Sequence, residues 1–175
     1  MIHPPGPIAR GRSTAGDGAR PGHSGRTAMA HPHVRVFDDH GIRFEYPADW
    51  ELEVTDDGPR RTVAVQSPGG LAFALVTLDE SRPAPAELAD EALAAMREEY
   101  PQLDAAPALE TIDGHRAVGH DLEFISLDLV NSCAIRCYRT PRRTVLVFGQ
   151  WSDLEGDEPA ALLRAVRGSL EETDS

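Results

Sequence analysis

The sequence predicts an α+β protein in which an antiparallel twisted sheet is sandwiched between helices. Residues 41–54 alternate between apolar and charged side chains, as in a strand with one buried face. Residues 71–78 and 145–148 are apolar at almost every position, so these strands should be covered on both faces. Two amphipathic segments, near residues 85–100 and from Pro159 onward, can supply the two covering layers. We therefore expect one such domain over residues 31–175.

The segment from Gly41 to Val54 predicts a strand with a kink. On its first half the apolar residues alternate with Arg43 and Glu45. Pro47 interrupts the pattern because it cannot donate a ladder hydrogen bond. The alternation then resumes with Glu51 and Glu53 on the polar side. The apolar positions on either side of the proline are Ile42, Phe44, Tyr46, Trp50, Leu52 and Val54.

The spacing F-x-Y-P-x-x-W, carried by Phe44, Tyr46, Pro47 and Trp50, resembles the N-terminal signature of the PsbP-like superfamily. The order of elements from His33 to Glu172 is also similar to that of the superfamily. Its members include photosystem II extrinsic subunits, bacterial DcrB-like proteins, actinobacterial lipoproteins and a Ran-binding nuclear import factor. The resemblance implies an α/β/α fold and the binding of other macromolecules. It does not imply a catalytic centre.

The remaining strands follow from alternation and turn residues. A short first strand covers Val34 and Val36, and another covers Val63 and Val65. Gly and Pro residues mark the turns between them. A meander of four further strands is expected over residues 108–112, 116–129, 132–139 and 144–151.

The helices are predicted from their end signals. Pro85 suits a first helical turn, and Pro101 ends the helix after Tyr100. The last helix is expected to start near Pro159 and to be capped by Asp157 or Glu158. The apolar stripes of the two helices are Leu88, Ala92, Ala95 and Met96 in the first, and Leu163, Val166 and Leu170 in the second.

Composition excludes several functions. The 175 residues carry a net charge of −12, which argues against a nucleic-acid partner because phosphate backbones are bound by clustered positive charge. The chain has no lysine, which excludes Schiff-base chemistry, pyridoxal phosphate attachment and a Walker-type phosphate loop. Neither a G-x-S-x-G nor a G-x-G-x-x-G motif is present. No cofactor is predicted.

Residues 1–30 are expected to be disordered, because Gly, Pro, Arg, Ser and Ala offer little apolar surface to bury. Four arginines against one aspartate give this segment a net charge of about +3, which leaves roughly −15 on the remainder. It is either a basic arm that contacts an acidic partner or an untranslated stretch upstream of Met29, and we favour the second. It contains no apolar run typical of a signal peptide and no lipid-accepting cysteine, so we expect a cytoplasmic protein without a membrane anchor.

Ligand-type side chains are sparse. On a strand, Cys133 and Cys137 would share a face about 13 Å apart, too far to form a disulfide, so we interpret both as buried structural residues. His115 and His120 would point to opposite faces, with Asp121 and Glu123 on the side of His115. We interpret this group as a solvated strand face rather than a metal site.

Two sets of residues are candidates for partner binding. Arg136, Arg139, Arg142 and Arg143 form a local basic patch that would suit an acidic or phosphorylated partner. A partner protein would dock at the sheet edge or on the concave side of the sheet, near Tyr46, Trp50 and Trp151.

The sequence therefore favours a noncatalytic protein-binding module such as an adaptor, chaperone or accessory subunit. Its partner would be another protein, and a homodimer is compatible with this interpretation. The alternative is a small-molecule-binding protein with a pocket between sheet and helix. An enzyme ranks lowest, since no set of nucleophile, base or metal ligands converges.

Overall fold

The computed structural model describes residues 33–174, and the expectations for residues 1–30 lie outside this part of the chain. The α+β class is confirmed: the described residues form a mostly antiparallel sheet structure with two helices. The strands and helices, in chain order, are β1 (Val34–Asp39), β2 (Ile42–Pro47), β3 (Glu51–Asp57), β4 (Arg60–Gln66), β5 (Phe73–Asp79), α1 (Pro85–Glu99), β6 (Asp104–Ile112), β7 (His115–Ser126), β8 (Leu129–Arg139), β9 (Thr144–Ser152), α2 (Glu158–Gly168) and β10 (Glu171–Glu172).

The strands form two sheets. Seven of them pair antiparallel in the order β3-β4-β5-β9-β8-β7-β6, and the other three form a small sheet in the order β1-β2-β10. The prediction of one kinked strand over residues 41–54 is wrong, because β2 and β3 belong to different sheets. A turn after Pro47 separates them, closed by a hydrogen bond of 3.0 Å from the amide of Trp50 to the carbonyl of Pro47.

The two strands predicted to be apolar on both sides lie next to each other in the large sheet. In β5, Phe73 and Leu75 belong to one core cluster, whereas Ala74 and Val76 belong to the other. Residues 145–148 of β9 alternate between the same two clusters. Burial on both faces of β5 and β9 is therefore confirmed, because successive side chains of a strand point in opposite directions.

Each core cluster contains one helix. Helix α1 contributes Leu88, Leu93 and Met96 to the cluster of Phe73 and Phe148. Helix α2 contributes Leu163 and Val166 to the other cluster, together with apolar residues of β2, namely Ile42, Phe44 and Tyr46. Residues of the small sheet thus share a core cluster with α2, which the sequence patterns do not predict.

Several element boundaries differ from the predictions. The strand expected over residues 116–129 ends at Ser126, and a turn at Leu127 and Asp128 leads into β8. Both turn residues have positive φ angles, 52° and 61°, and leucine rarely adopts such an angle, so Leu127 gives little warning of this turn. Strand β6 starts at Asp104 rather than Ala108. The predicted cap of α2 is wrong: Asp157 precedes the helix in a helical conformation and accepts no side-chain capping hydrogen bond.

Candidate functional site

The predicted arginine patch is divided between several places. Arg136 points toward the α2 side of the large sheet and is only 6% exposed. Arg139 lies on the α1 side, where its Nη2 donates a 2.6 Å hydrogen bond to the carbonyl of Arg82. Arg142 and Arg143 occupy the turn between β8 and β9, where both contact residues 172–174. The structure therefore does not bring these four residues together on one surface.

Arg136 belongs to an ion-pair network whose two arginines are buried and whose two carboxylates are partly exposed. Its Nε lies 2.8 Å from Glu110 Oε2, and its Nη2 donates to Asp121 Oδ1 at 2.8 Å. The Nε of Arg167 from α2 approaches the same carboxylate: it donates to Oε1 at 3.0 Å and lies 2.8 Å from Oε2. The Nη1 of Arg136 also donates to the carbonyl of Ile135 at 3.0 Å. The network thus joins β6, β7, β8 and α2 at one point.

The carboxylate of Glu110 is held in its charged form. Burial is the largest single influence on this group and by itself would raise its pKa. The hydrogen bonds and charges of Arg167 and Arg136 together outweigh burial, and the pKa of Glu110 lies below its ordinary value of 4.5. Glu110 therefore compensates two arginines that have little access to water.

An open groove lies above this network, between α2 and the β6-β7-β8 part of the large sheet. We call it the α2 groove; its volume is about 540 Å³. Ala106 and Ala134 form part of its lining, and Trp151 from β9 is half-buried within it. The charged residues that line it are Asp104, Asp121, Glu123, Arg136, Arg164 and Arg167.

The walls of the α2 groove carry opposite charges. Asp104 of β6 and Glu123 of β7 are exposed and directly opposite each other in the strand register. Like charges in this position are mutually destabilising. Arg164 is exposed on the α2 wall. Within residues 33–174 none of these three side chains forms an ion pair, so the groove presents free charges of both signs.

The three predicted aromatic contact residues have different surroundings. Tyr46 and Trp50 are 7% and 5% exposed and belong to the core cluster of α2. Trp50 also borders a separate depression next to Pro159, away from the α2 groove. Trp151 packs against the same core cluster but is half-buried rather than buried, and it lines the α2 groove. Of the three, Trp151 is therefore the residue that a partner could contact without unfolding the core.

The histidines face opposite sides of the sheet, as the strand pattern predicts. The ring of His120 lies 2.9 Å from Asp90 of α1, whereas His115 stacks on Tyr138 on the other side. Among the described residues, no group of three or more histidine, cysteine or acidic side chains is arranged to hold a metal ion. No helix within this part of the chain is both long and apolar enough to span a membrane.

Both cysteines are buried in the α1 core cluster as free thiols. Burial raises the pKa of Cys137 to about 12 and raises that of Cys133 well above its ordinary value of 9.0. Because the thiolate is the reactive form, we expect iodoacetamide to modify neither cysteine rapidly in the native protein. Both should react completely in denaturant, which serves as the control. Fast modification of the native protein, measured by mass spectrometry, would contradict their burial.

Glu110, Arg164 and Arg167 are not among the site residues that the sequence predicts. The sequence does contain a signal for Glu110. On a strand it shares one face with Ala106, Ala108 and Ile112, and Ile112 is buried. A carboxylate at a core-facing position of a strand indicates a buried partner. No comparable signal exists for Arg164, which lies on an exposed helix surface as most arginines do.

Comparison with known proteins identifies the fold. No family model matches this chain, and none of the curated proteins matches its sequence. The solution structure of cyanobacterial PsbP (CyanoP) from Synechocystis has a TM-score of 0.57 at 10% identity, over 85% of this chain and 98% of that one. A crystal structure from Bacteroides thetaiotaomicron has a TM-score of 0.50 at 11% identity, over 77% of this chain and 46% of that one.

LpqN, involved in cell envelope biogenesis of Mycobacterium tuberculosis, has a TM-score of 0.47 at 14% identity, over 83% of this chain and 94% of that one. The similarity to the cyanobacterial structure spans nearly all the described residues. It confirms the resemblance indicated by Phe44, Tyr46, Pro47 and Trp50. At these identities, the comparisons show a PsbP-like fold.

Proposed function

We propose that this PsbP-like chain is a noncatalytic protein-binding module and that the α2 groove is its docking site. The observation that carries the proposal is the combination of half-buried Trp151 with unpaired charges on both groove walls. Tryptophan and arginine are enriched among the residues that dominate binding energy. The macromolecular binding implied by the superfamily resemblance supports the same role.

The charges of the groove indicate what the partner surface would carry. A lysine or arginine of the partner placed between Asp104 and Glu123 would relieve the repulsion between these carboxylates. An acidic group would pair with Arg164 on the opposite wall. Rim charges of this kind set the association rate and the choice of partner more than the affinity, so binding should weaken as the salt concentration rises.

The proposal takes the large sheet to be sandwiched between α1 on one face and α2 with the small sheet on the other. The two core clusters, each with its own helix, support this arrangement. We also propose a cytoplasmic location and the absence of nucleic-acid binding. The two free thiols and the net charge of −12 support these parts of the proposal.

Site-specific photocrosslinking in the native cell tests the docking site. A photoreactive amino acid in place of Arg164 should give one adduct of defined mass, and the same residue in place of Arg97 on α1 should give none. The adduct should be lost when Trp151→Ala is added, because this substitution removes the aromatic surface of the groove. Equal adducts from positions 164 and 97, or an adduct that survives Trp151→Ala, would contradict the proposal.

Trp50→Ala does not serve as an interface test. Trp50 is 5% exposed in the core, and its truncation should cost about 3–5 kcal/mol of unfolding free energy. Loss of binding in that variant would report unfolding. Trp151→Ala must therefore be accompanied by a thermal melt that shows a folded protein.

A small-molecule ligand is the alternative function of the same groove. Its volume of about 540 Å³ falls within the range of ligand pockets, roughly 300–1,000 Å³. A ligand that binds only the folded state raises the melting temperature. A metabolite that raises it in the wild type but not in Trp151→Ala would favour this alternative over a protein partner.

A further inference from the structure

The turn between β8 and β9 holds an acidic segment of the same chain. Arg142 donates from Nη2 to Asp174 Oδ1 at 2.6 Å and from Nη1 to the carbonyl of Thr173 at 3.2 Å. Arg143 Nε lies 3.3 Å from Glu172 Oε1, and the Thr140 hydroxyl donates to the same oxygen at 3.0 Å. Part of the sequence-predicted arginine patch is thus occupied by residues 171–174.

The backbone of residues 171–174 is held in an extended conformation. Strand β10 consists of two residues that pair antiparallel with Arg43 and Ile42 of β2. Beyond it, the amide of Thr173 donates to the carbonyl of Gly41 at 3.0 Å. The amide of Glu172 donates to Asp113 Oδ2 at 2.8 Å. The site therefore holds an extended backbone at the edge of β2 as well as acidic side chains.

The spacing of Glu172 and Asp174 explains why both side chains contact the turn between β8 and β9. Residues two apart in an extended chain point in the same direction, so Glu172 and Asp174 both face residues 140–143. Glu171 lies on the other side, 3.8 Å from Arg43. The site is thus suited to an acidic residue at every second position.

Residues 171–174 leave some buried polar atoms in and around the site without a hydrogen-bond partner in the described part of the chain. The buried atoms Tyr138 Oη, Arg143 Nε and Thr173 Oγ1 have no hydrogen-bond partner within residues 33–174. Tyr138 is 0% exposed, and burial followed by the charges of Asp113 and Glu172 raises the pKa of its hydroxyl. Buried donors without acceptors are costly. Glu172 therefore pairs with Arg143 Nε by charge at 3.3 Å without a well-aligned hydrogen bond, and a differently placed carboxylate could supply one.

We propose that residues 140–143 and the edge of β2 that pairs with β10 form a docking site for an extended acidic segment of a partner protein, in which acidic residues alternate with others. Residues 171–174 occupy this site in the free chain and are displaced when the partner binds. The segment can leave without opening the core, because Leu170, which is 1% exposed, anchors the chain just before it. The site shares no residue with the α2 groove, so it stands independently of the proposed function.

The test uses a labelled synthetic peptide of residues 169–175, whose sequence is SLEETDS, and full-length protein variants. Glu172→Gln combined with Asp174→Asn weakens the internal segment, so the peptide should bind this variant at least about tenfold more tightly than the wild type in fluorescence anisotropy. Adding Arg142→Gln should abolish the gain, whereas Arg97→Gln on α1 should leave it unchanged. A peptide with glutamine and asparagine in place of its acidic residues should not bind.

Hydrogen exchange on the wild type gives a second measurement that needs no variant. Saturating peptide should speed amide exchange at Glu172 and Thr173, because the displaced segment loses its hydrogen bonds to Asp113 and Gly41. Unchanged exchange under peptide saturation would overturn the proposal, as would binding that survives Arg142→Gln.

Two further outcomes would assign the site differently. If inorganic phosphate displaced the peptide at equal concentration, the site would be a simple anion site and the proposal would fail. A wild-type dimer that becomes monomeric in the Glu172→Gln, Asp174→Asn variant would show that a second copy supplies the segment. That result would overturn the assignment to a partner protein.

Discussion

Gly119→Ala is expected to lower the free energy of unfolding by about 3 kcal/mol, near the upper end for overpacking. Gly119 lies in β7 opposite Arg136 of β8. A methyl group at this position would lie 1.7 Å from the carbonyl oxygen of Ile135 and 2.6 Å from its carbon. Backbone atoms cannot move aside as a flexible side chain can. The two strands would have to separate, which would also disturb the hydrogen bond from Arg136 to that carbonyl.

Gly149→Ala is the matched control for this prediction. Gly149 is also buried in the large sheet, but a methyl group there would lie 3.8 Å from Leu163 side-chain atoms, an ordinary contact distance. This substitution should be neutral or stabilising by up to about 1 kcal/mol, since alanine restricts the unfolded chain. Urea titration followed by circular dichroism measures both variants. Equal stability of the two would show that β7 and β8 do not approach as closely as described.

Glu110→Gln should destabilise the protein by about 1.5–3 kcal/mol, the range for hydrogen bonds to charged groups, because Glu110 is 26% exposed and Arg136 keeps Asp121 as a partner. The side chains of Arg136 and Arg167 are 8% and 11% exposed, and the substitution leaves both charges with less compensation. Glutamine has nearly the same shape, so the loss reports charge rather than packing.

Asp121→Asn is the control, because it removes a charge from the same arginine at a surface position. The side chain of Asp121 is 58% exposed, and exposed ion pairs contribute about 0–1 kcal/mol. Urea titration should therefore separate the two variants clearly. A loss for Asp121→Asn as large as for Glu110→Gln would contradict the central place of Glu110 in the network.

The same network makes stability depend on pH. The folded-state pKa of Glu110 lies below 4.5, so its contribution is present above the unfolded pKa and is lost as the pH falls through the folded value. Asp79 acts in the same direction: burial alone would raise its pKa, but hydrogen bonds from Ser81 and Arg60 hold it below 3.8. The wild type should lose stability below about pH 4.5, and Glu110→Gln should show a shallower decline.

The close approach of two strands at Gly119 is only partly predictable from the sequence. A glycine inside a strand pattern indicates a bulge or a close approach of another backbone, and that signal is present in residues 115–126. The identity of the approaching atom is not encoded locally. It follows from the register in which Gly119 faces Arg136, and that register is set by the pairing of β7 with β8 along their whole length.

The arrangement of the four arginines is an example that local sequence predicts wrongly. Four arginines within eight positions predict one basic patch, yet Arg136 and Arg139 lie on opposite faces of β8. Arg136 became part of a network because Glu110 and Arg167 reach it from 26 and 31 residues away in the sequence. Arg142 and Arg143 lie in a turn that meets residues 172–174 at the edge of the small sheet.

Four properties follow from the order of residues alone: the α+β class, the burial of β5 and β9 on both faces, the two helices and the resemblance to PsbP-like proteins. These properties depend on hydrophobic periodicity, which is local, non-directional and tolerant of small shifts. Three other properties are visible only in the folded chain: β2 and β3 enter different sheets, Glu110 joins two buried arginines, and residues 171–174 occupy an arginine site. Each of these depends on directional contacts between residues far apart in the chain, and ion pairs and hydrogen bonds form only when register and layer packing bring their atoms within about 3 Å.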